Sequence, residues 1–466
     1  MGLPHRKHVA LALLGKGASN HLHRSEVISA LQRRGFSVKV LVRDDYSRLI
    51  EKYPGCEYIE TEISTSKGGL RSLLRGILQY ARSLYPTNDP AKKYVFDAEQ
   101  SYRNISSRMF HSFLRILATS RGLLICALAI ERHLYTDVQV VGPNPEKIDV
   151  LCLVGFGGNE LLDCYLQYWA SRHNLPTLNL VGNYDNLSTK GFRGHGIDRL
   201  LVWGDNMQQD AVTLQALLPN RITKLGPLKY DRLASLDFVS RADFFTKRGL
   251  NERKTTILFA GGRDEFHYFE ILDALSSFDG IGDVQIIIRI MPNKSLLASP
   301  EMKFFIAHAT ALENVFLSFG DTNYRQGRFD LEPIIIEEDE LWHALRYCDL
   351  VINLFSTLAL EACIFDKPIV NMWYFRPASR MVLNSATYVP YNQEAHIRRL
   401  RSYNCSVDAH SRTALHNAIV TELRYPSARH EGRKNLVMDE CGTLDGKAAD
   451  RFAVECENII TNNGVP

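Results

Sequence analysis

Cysteine pairing, long apolar runs and a charge surplus are all missing from this 466-residue sequence. The nine cysteines are odd in number and scattered, with no C-x-x-C pair. Zinc-ribbon and thioredoxin-like chemistry therefore have no support, and a reducing, cytoplasmic setting is expected. The strongest candidate for a membrane span, Gly122 to Ile130, has nine uncharged residues, against ~20 needed. Lys and Arg total 55 against 52 Asp and Glu, a net charge of +3, which argues against a nucleic-acid partner. G-x-S-x-G, H-E-x-x-H and G-x-x-x-x-G-K-[ST] are absent, as is an Asp-x-Asp metal motif, so no metal site is expected. Leu14-Gly15-Lys16-Gly17-Ala18-Ser19-Asn20 begins like a dinucleotide fingerprint, but Asn20 stands where the third glycine belongs. That argues against a Rossmann oxidoreductase. The basic Met1–Arg6 and apolar His8–Leu14 superficially resemble a signal peptide. The apolar run stops at Gly15 without a cleavage pattern, and a first buried strand is expected instead.

What is present is alternation of short apolar runs with amphipathic helices. Strands are expected at Val9–Leu14, Phe36–Val42, Val150–Val154, Thr177–Val181, Arg199–Trp203 and Ile222–Leu225. A second series reads Thr256–Ala260, Asp283–Ile290, Asn314–Phe319, Leu350–Asn353 and Pro368–Met372. Strand–helix alternation argues for α/β architecture with parallel, doubly wound sheets. The domains read as residues 1–225, a charged Gly-Pro crossing at 226–254, a second domain at 255–430, and a tail with a closing helix at 431–466.

Residues from about 64 to 135 break the pattern with a helical stretch. Ile63–Tyr135 holds eleven Lys/Arg and four acids, a local balance of +7, so the rest of the chain sums to −4. Leu70, Leu73, Leu74, Ile77, Leu78 and Ala81 form a helical stripe, with Arg71, Arg75 and Arg82 off it. Two readings follow: an amphipathic helix on an anionic membrane, or a surface helix with its apolar side on the core.

Ligands of open parallel sheets bind at the carboxyl ends of strands. After Asn353, Ser356 and Thr357 open a helix whose free N–H groups favour phosphate, and Glu361 lies one turn on, within reach of a ribose diol. A capped helix with a solvent-facing Glu is the plainer alternative. Gly261-Gly262-Arg263 follows the second domain's first strand; the glycines allow close backbone approach and Arg263 would neutralise a diphosphate, unless this is a plain loop. Arg289 closes another strand as a phosphate candidate. In the first domain His21 and Asp185 are the candidate general bases, against a surface histidine and an Asx turn. Tyr184 offers a stacking face for a sugar.

The block Asn353 to Val370, with Ser356-Thr357, Glu361-Ala362 and Asp366-Lys367-Pro368-Ile369-Val370, resembles the nucleotide-binding segment of GT-B glycosyltransferases and the related non-hydrolysing UDP-GlcNAc 2-epimerases. Tyr184 to Gly191, Asp198 to Gly204, Leu225 to Asp231 and Asp445 to Arg451 are similar to bacterial surface-carbohydrate transferases. The resemblance implies two Rossmann-like domains with a helical insertion in the first. It implies a nucleotide-sugar donor, a UDP-sugar foremost, no further cofactor, and a glycan or lipid-linked acceptor at the inner membrane face. Related transferases read Arg-x-His-Pro where this chain has Arg289-Ile290-Met291-Pro292, so no histidine role is expected there. Also open are a UDP-sugar 2-epimerase, a transferase using CDP-glycerol, and a non-catalytic scaffold binding a membrane or partner.

Overall fold

The protein is described from a computed structural model covering residues 7–14, 25–43, 47–66, 69–84, 109, 113, 121–156, 160–189, 197–262, 265–276, 284–291, 294–319, 323–325, 328–330, 336–354, 356–374 and 395–463. It divides into two compact units. Met1–Ser235, Glu394–His396 and Met438–Pro466 form the first; Leu236–Gln393 and Ile397–Val437 form the second.

The first unit is built on a parallel sheet of β1 (His8–Leu13), β2 (Ser37–Val42), β3 (Glu57–Glu60), β6 (Val150–Phe156), β7 (Thr177–Val181), β8 (Arg199–Val202) and β9 (Ile222–Lys224). Their order is β3-β2-β1-β6-β7-β8-β9. Alternate side chains go to opposite faces. Val9, Leu11, Val38, Val40, Cys152 and Leu178 share a core with the helices Val27–Arg33 and Ala448–Asn463. Ala10, Ala12, Leu151 and Leu153 pack instead with Leu162, Leu166 and Trp169 of the helix Glu160–Arg172. Burial on both faces explains the nearly continuous apolar strands.

The insertion carries a small antiparallel pair, β4 (Glu62–Ser64) with β5 (Gln139–Val141), and the helices Gly69–Leu84 and Arg121–Leu134, which pack together. Tyr135 stacks on Tyr168 at 4.7 Å, and Tyr168 donates to Glu131 Oε2 at 2.8 Å. The expected stripe does not turn toward the core as one face. Leu78 is buried, whereas Leu70, Leu73 and Leu74 are 70%, 59% and 37% exposed. Arg75, expected on the outer, membrane-facing side with Arg71 and Arg82, is 4% exposed. It donates to Asp137 Oδ1 at 3.0 Å and to the Ser66 carbonyl at 2.8 Å, so its charge is consumed inside the fold. Arg71 is exposed; the Arg82 side chain lies outside the described residues.

The second unit has a six-stranded parallel sheet in which the chain reverses direction of travel once about its first strand. Its strands are β10 (Thr255–Ala260), β11 (Val284–Arg289), β12 (Val315–Ser318), β15 (Leu350–Asn353), β16 (Ile369–Met372) and β17 (Val407–Ala409). The short strands β13 (Asn323–Arg325) and β14 (Arg328–Asp330) pair separately. Ile257, Phe259, Ile288, Ile352 and Val370 form its core with Tyr268, Phe305 and Leu415.

One device recurs in both sheets. An aspartate immediately before a strand accepts a backbone N–H from the first or second residue of the strand beside it. Asp149 takes His8 N–H at 2.6 Å, Asp198 takes Thr177 N–H at 2.9 Å, and Asp349 takes Thr256 N–H at 2.7 Å. A parallel strand start has a donor with no ladder partner, and the carboxylate supplies the acceptor. All nine cysteines are free and seven are buried. Burial pushes the Cys348 thiol up to about 12, which keeps it unreactive.

Candidate functional site

In the second sheet the chain runs outward from β10 through β11 to β12, then returns to the other side of β10 with β15. The reversal makes β10 and β15 a topological switch point, where open α/β sheets bind ligands. Ala260 pairs with Arg289, and Phe259 with Ile352, so β10, β11 and β15 end together. The sheet thereby gathers at one edge Gly261-Gly262, Arg289, and the Ser356-Thr357 turn leading to Glu361. Arg263 and His21 lie outside the described residues.

Each gathered residue has a local role. Gly261 N–H donates to the Arg289 carbonyl at 3.2 Å. A Cβ on Gly261 would sit 2.2 Å from the Tyr268 ring, so glycine is required here by an aromatic neighbour. Tyr268 is buried, donates to the Gly262 carbonyl at 3.0 Å and accepts from Met291 N–H at 3.0 Å. Burial raises its phenol well above the ordinary value and keeps it neutral. A Cβ on Gly262 would meet Leu354 at 3.1 Å, so the β10 and β15 loops touch. Tyr268 thus pins the β10 loop to the β11 loop, and Leu354 fixes its other side.

Arg289 is half-buried at the end of β11. Strand alternation puts it on the face opposite Ile288. Its partner among the described residues is a hydroxyl, Ser318 Oγ at 3.2 Å, and not a carboxylate. Ser356 Oγ donates to the buried Asn353 Oδ1 at 2.7 Å and accepts from Leu358 N–H at 3.3 Å. Ser356 therefore ties the turn to the strand end and takes one helix-start donor, while Thr357 makes no capping bond with its side chain. Glu361 falls in the first turn of the helix Leu358–Ile364. Asp366 follows that helix with φ of 51°, accepting from buried Arg433 at 2.7 Å and pairing with His430 at 2.8 Å. Burial pushes its carboxyl up, but the Arg433 and His430 contacts outweigh this and hold it below the ordinary range. The Asp-Lys-Pro block is therefore anchored by charge.

In the first unit, Asp185 follows β7 in a tight turn before the helix Asn186–Thr189. Its carbonyl accepts from Ser188 Oγ and Thr189 Oγ1 at 3.1 and 2.8 Å, and its Oδ2 accepts from Thr189 Oγ1 at 3.2 Å. Asp185 Oδ1 is buried and has no protein partner among the described residues. One carboxylate oxygen thus shapes the turn and the other keeps its accepting capacity. Tyr184 is not a sugar-stacking face: it is 2% exposed, edge-on to the His396 ring at 5.4 Å. Ser188 Oγ lies 3.4 Å from His396 Nδ1. Sequence reading missed His396; the two are 208 positions apart and no local pattern links them.

The remaining motif blocks turn out to be a clasp. Asp231 accepts the Ala448 and Ala449 N–H groups at 2.9 and 2.7 Å, capping the closing helix Ala448–Asn463. Arg451 donates to the Leu225 carbonyl at 2.6 Å and grips Asp445 with two nitrogens at 2.9 and 3.0 Å. Gly226 and Gly446 both have positive φ, 86° and 73°. A Cβ at Gly226 would press on Arg451, and one at Gly446 on Ala234. These residues hold the last helix to the first sheet. Among the described residues, no group of three or more His, Cys, Asp or Glu is placed to hold a metal ion.

Solved structures match the whole chain. S. aureus MnaA, solved with UDP, aligns with a TM-score of 0.54 at 9% identity, covering 98% of this chain and 97% of its own. The Neisseria meningitidis UDP-GlcNAc 2-epimerase, bound to UDP-GlcNAc, gives 0.50 at 11%, covering 98% and 100%. A glycosyltransferase from Rickettsia africae gives 0.50 at 9%, covering 97% and 99%. The chain has the GT-B fold. No protein-family model and no curated protein matches the sequence. At 9–11% identity it is the GT-B architecture that is shared.

Proposed function

We propose that the chain is a nucleotide-sugar enzyme, a glycosyltransferase that moves a sugar from a UDP-sugar to a surface-glycan or lipid-linked acceptor. The observation that carries this reading is the meeting of Gly261-Gly262, Arg289 and the Ser356 turn at the switch point of the second sheet. A guanidinium held there by a neutral hydroxyl keeps its full charge for a diphosphate, which it can grip with two parallel donors. As the donor's glycosidic bond breaks, negative charge builds on the departing nucleotide diphosphate. A fixed cation and fixed backbone dipoles stabilise that charge without having to reorganise. Glu361 would accept hydrogen bonds from the ribose diol. In the first unit, Asp185 is the proposed base for an attacking hydroxyl. His21 and Arg263 remain part of the proposed set. The same reading places the protein in the cytoplasm at the inner membrane face, with no metal required.

A second reading is a UDP-sugar 2-epimerase, and the recurrence of such enzymes among the structural neighbours supports it. Incubation with UDP-GlcNAc alone separates the two. Under the transferase reading the sugar stays unchanged until an acceptor is added; epimerisation without acceptor would overturn it. A CDP-glycerol-type transferase would respond to CDP and CMP rather than UDP in a thermal-shift panel. A non-catalytic scaffold would lose neither nucleotide binding nor cellular glycan when both Arg289 and Glu361 are replaced by alanine.

A further inference from the structure

We infer that the outer face of the helix Gly69–Leu84 docks on an anionic lipid bilayer. A surface helix with its apolar side on the core would bury Leu70, Leu73 and Leu74. The structure does the opposite: these three, spaced i, i+3, i+4, are 70%, 59% and 37% exposed, with Ile77 half-exposed beside them. The helix is locked in this orientation. Its inner face carries Leu78 and Arg75, and Arg75 is tied to Asp137, to the Ser66 carbonyl and to the face of the Tyr135 ring at 5.7 Å. Rolling the leucines inward would break that buried pair. The leucines therefore meet whatever lies outside.

Charge selects the occupant. The sequence stretch Ile63–Tyr135 carries +7, or +6 once Arg75 is set against Asp137, and Arg71 is exposed next to Leu70. Met109 and Phe113, in the same stretch, are exposed as well. An apolar face set in a cationic segment fits the boundary between acidic headgroups and acyl chains. A second copy would bring two like-charged stretches together, which is repulsive. No helix among the described residues is long and apolar enough to cross a membrane, so the helix lies in the interface, where its 16 residues span about 24 Å. This rests on the transferase reading only for its purpose, since a lipid-linked acceptor would be met at such a surface.

The test is co-sedimentation of the full chain with vesicles of equal phosphatidylglycerol and phosphatidylcholine, compared with phosphatidylcholine alone. The expected result is sedimentation with the anionic vesicles at low salt and at least tenfold weaker binding at 0.5 M salt. The variant Leu70→Ser/Leu73→Ser/Leu74→Ser should bind at least tenfold more weakly while staying folded, its melting temperature falling only modestly because Leu70 and Leu73 are more than half exposed and Leu74 alone is largely covered. Arg71→Gln provides a milder second variant, with a smaller loss confined to the anionic vesicles. Wild-type protein left in the supernatant at low salt, or a triple variant that binds as well as wild type, overturns the inference. So does a light-scattering mass that halves in the triple variant while wild type ignores vesicles, which would assign the face to a second copy. A thermal shift with UDP, measured on the same samples, keeps the nucleotide reading separate: it should persist in the triple variant, and its absence in wild type would count against that reading alone.

Discussion

Replacing Asp231 with alanine should loosen the closing helix of the first unit and leave nucleotide binding in the second untouched. The carboxylate receives two N–H groups at 2.9 and 2.7 Å from the start of the helix Ala448–Asn463. Ala448 and Ala449 are buried, so truncation leaves both donors without an acceptor and away from water. A buried donor left unsatisfied costs about 1–3 kcal/mol. Against this, the buried carboxylate carries a desolvation cost of its own. Burial raises its pKa despite the two N–H bonds, so removing it returns part of the loss. The net destabilisation should be about 2–4 kcal/mol. At about 2–4 °C per kcal/mol for a domain of this class, the first unit's melting point should fall by roughly 4–16 °C. Asp231→Asn, which keeps one acceptor oxygen, should lose about half as much. The assay is thermal unfolding by calorimetry, with UDP titrated into the folded variants. Melting within about 1 °C of wild type for Asp231→Ala would refute the clasp.

Two carboxylates should respond to pH with opposite sign. The raised value of Asp231 means its stabilising contribution, relative to Asp231→Asn, is greatest below the ordinary value near 3.8 and shrinks as pH rises through the raised folded value. The lowered value of Asp366 means its contribution, relative to Asp366→Asn, is present above 3.8 and is lost as pH falls through the depressed folded value. Urea midpoints of the two variants and wild type between pH 3 and 7 check both slopes. Gly261→Ala drives a Cβ into the buried Tyr268 ring at 2.2 Å and should destabilise the second unit by about 1–3 kcal/mol, read from its urea midpoint. Asp349→Ala leaves Thr256 N–H without its acceptor at the start of the central strand β10 and should cost about 1–3 kcal/mol by the same measurement.

The strands of both sheets were legible because a parallel strand buried on both faces reads as a continuous apolar run. That signal fails at the margins. Glu57–Glu60 carries charges at both ends and sits on the sheet edge, and Val407–Ala409 is only three residues long. The loops at the second sheet's switch point could be found from Gly-Gly, Arg289 and Ser-Thr because each ends or follows a legible strand. What those residues touch could not be read. Gly261 answers to an aromatic ring seven positions on, Tyr184 is turned inward against His396, and the Asp231 and Arg451 blocks meet only after folding across more than two hundred residues. The helical stripe was visible in the periodicity, but which side of it faces the protein was decided by Asp137, which lies outside the helical window.

A nucleotide diphosphate is proposed to bind at the strand ends that hold Arg289. Calorimetric titration of UDP into wild type and Arg289→Ala tests it most directly. Wild type should bind UDP saturably and the variant at least tenfold more weakly, the loss expected when a charged contact to phosphate is removed. Equal affinity in the two proteins, or no saturable binding of UDP to wild type, would contradict it.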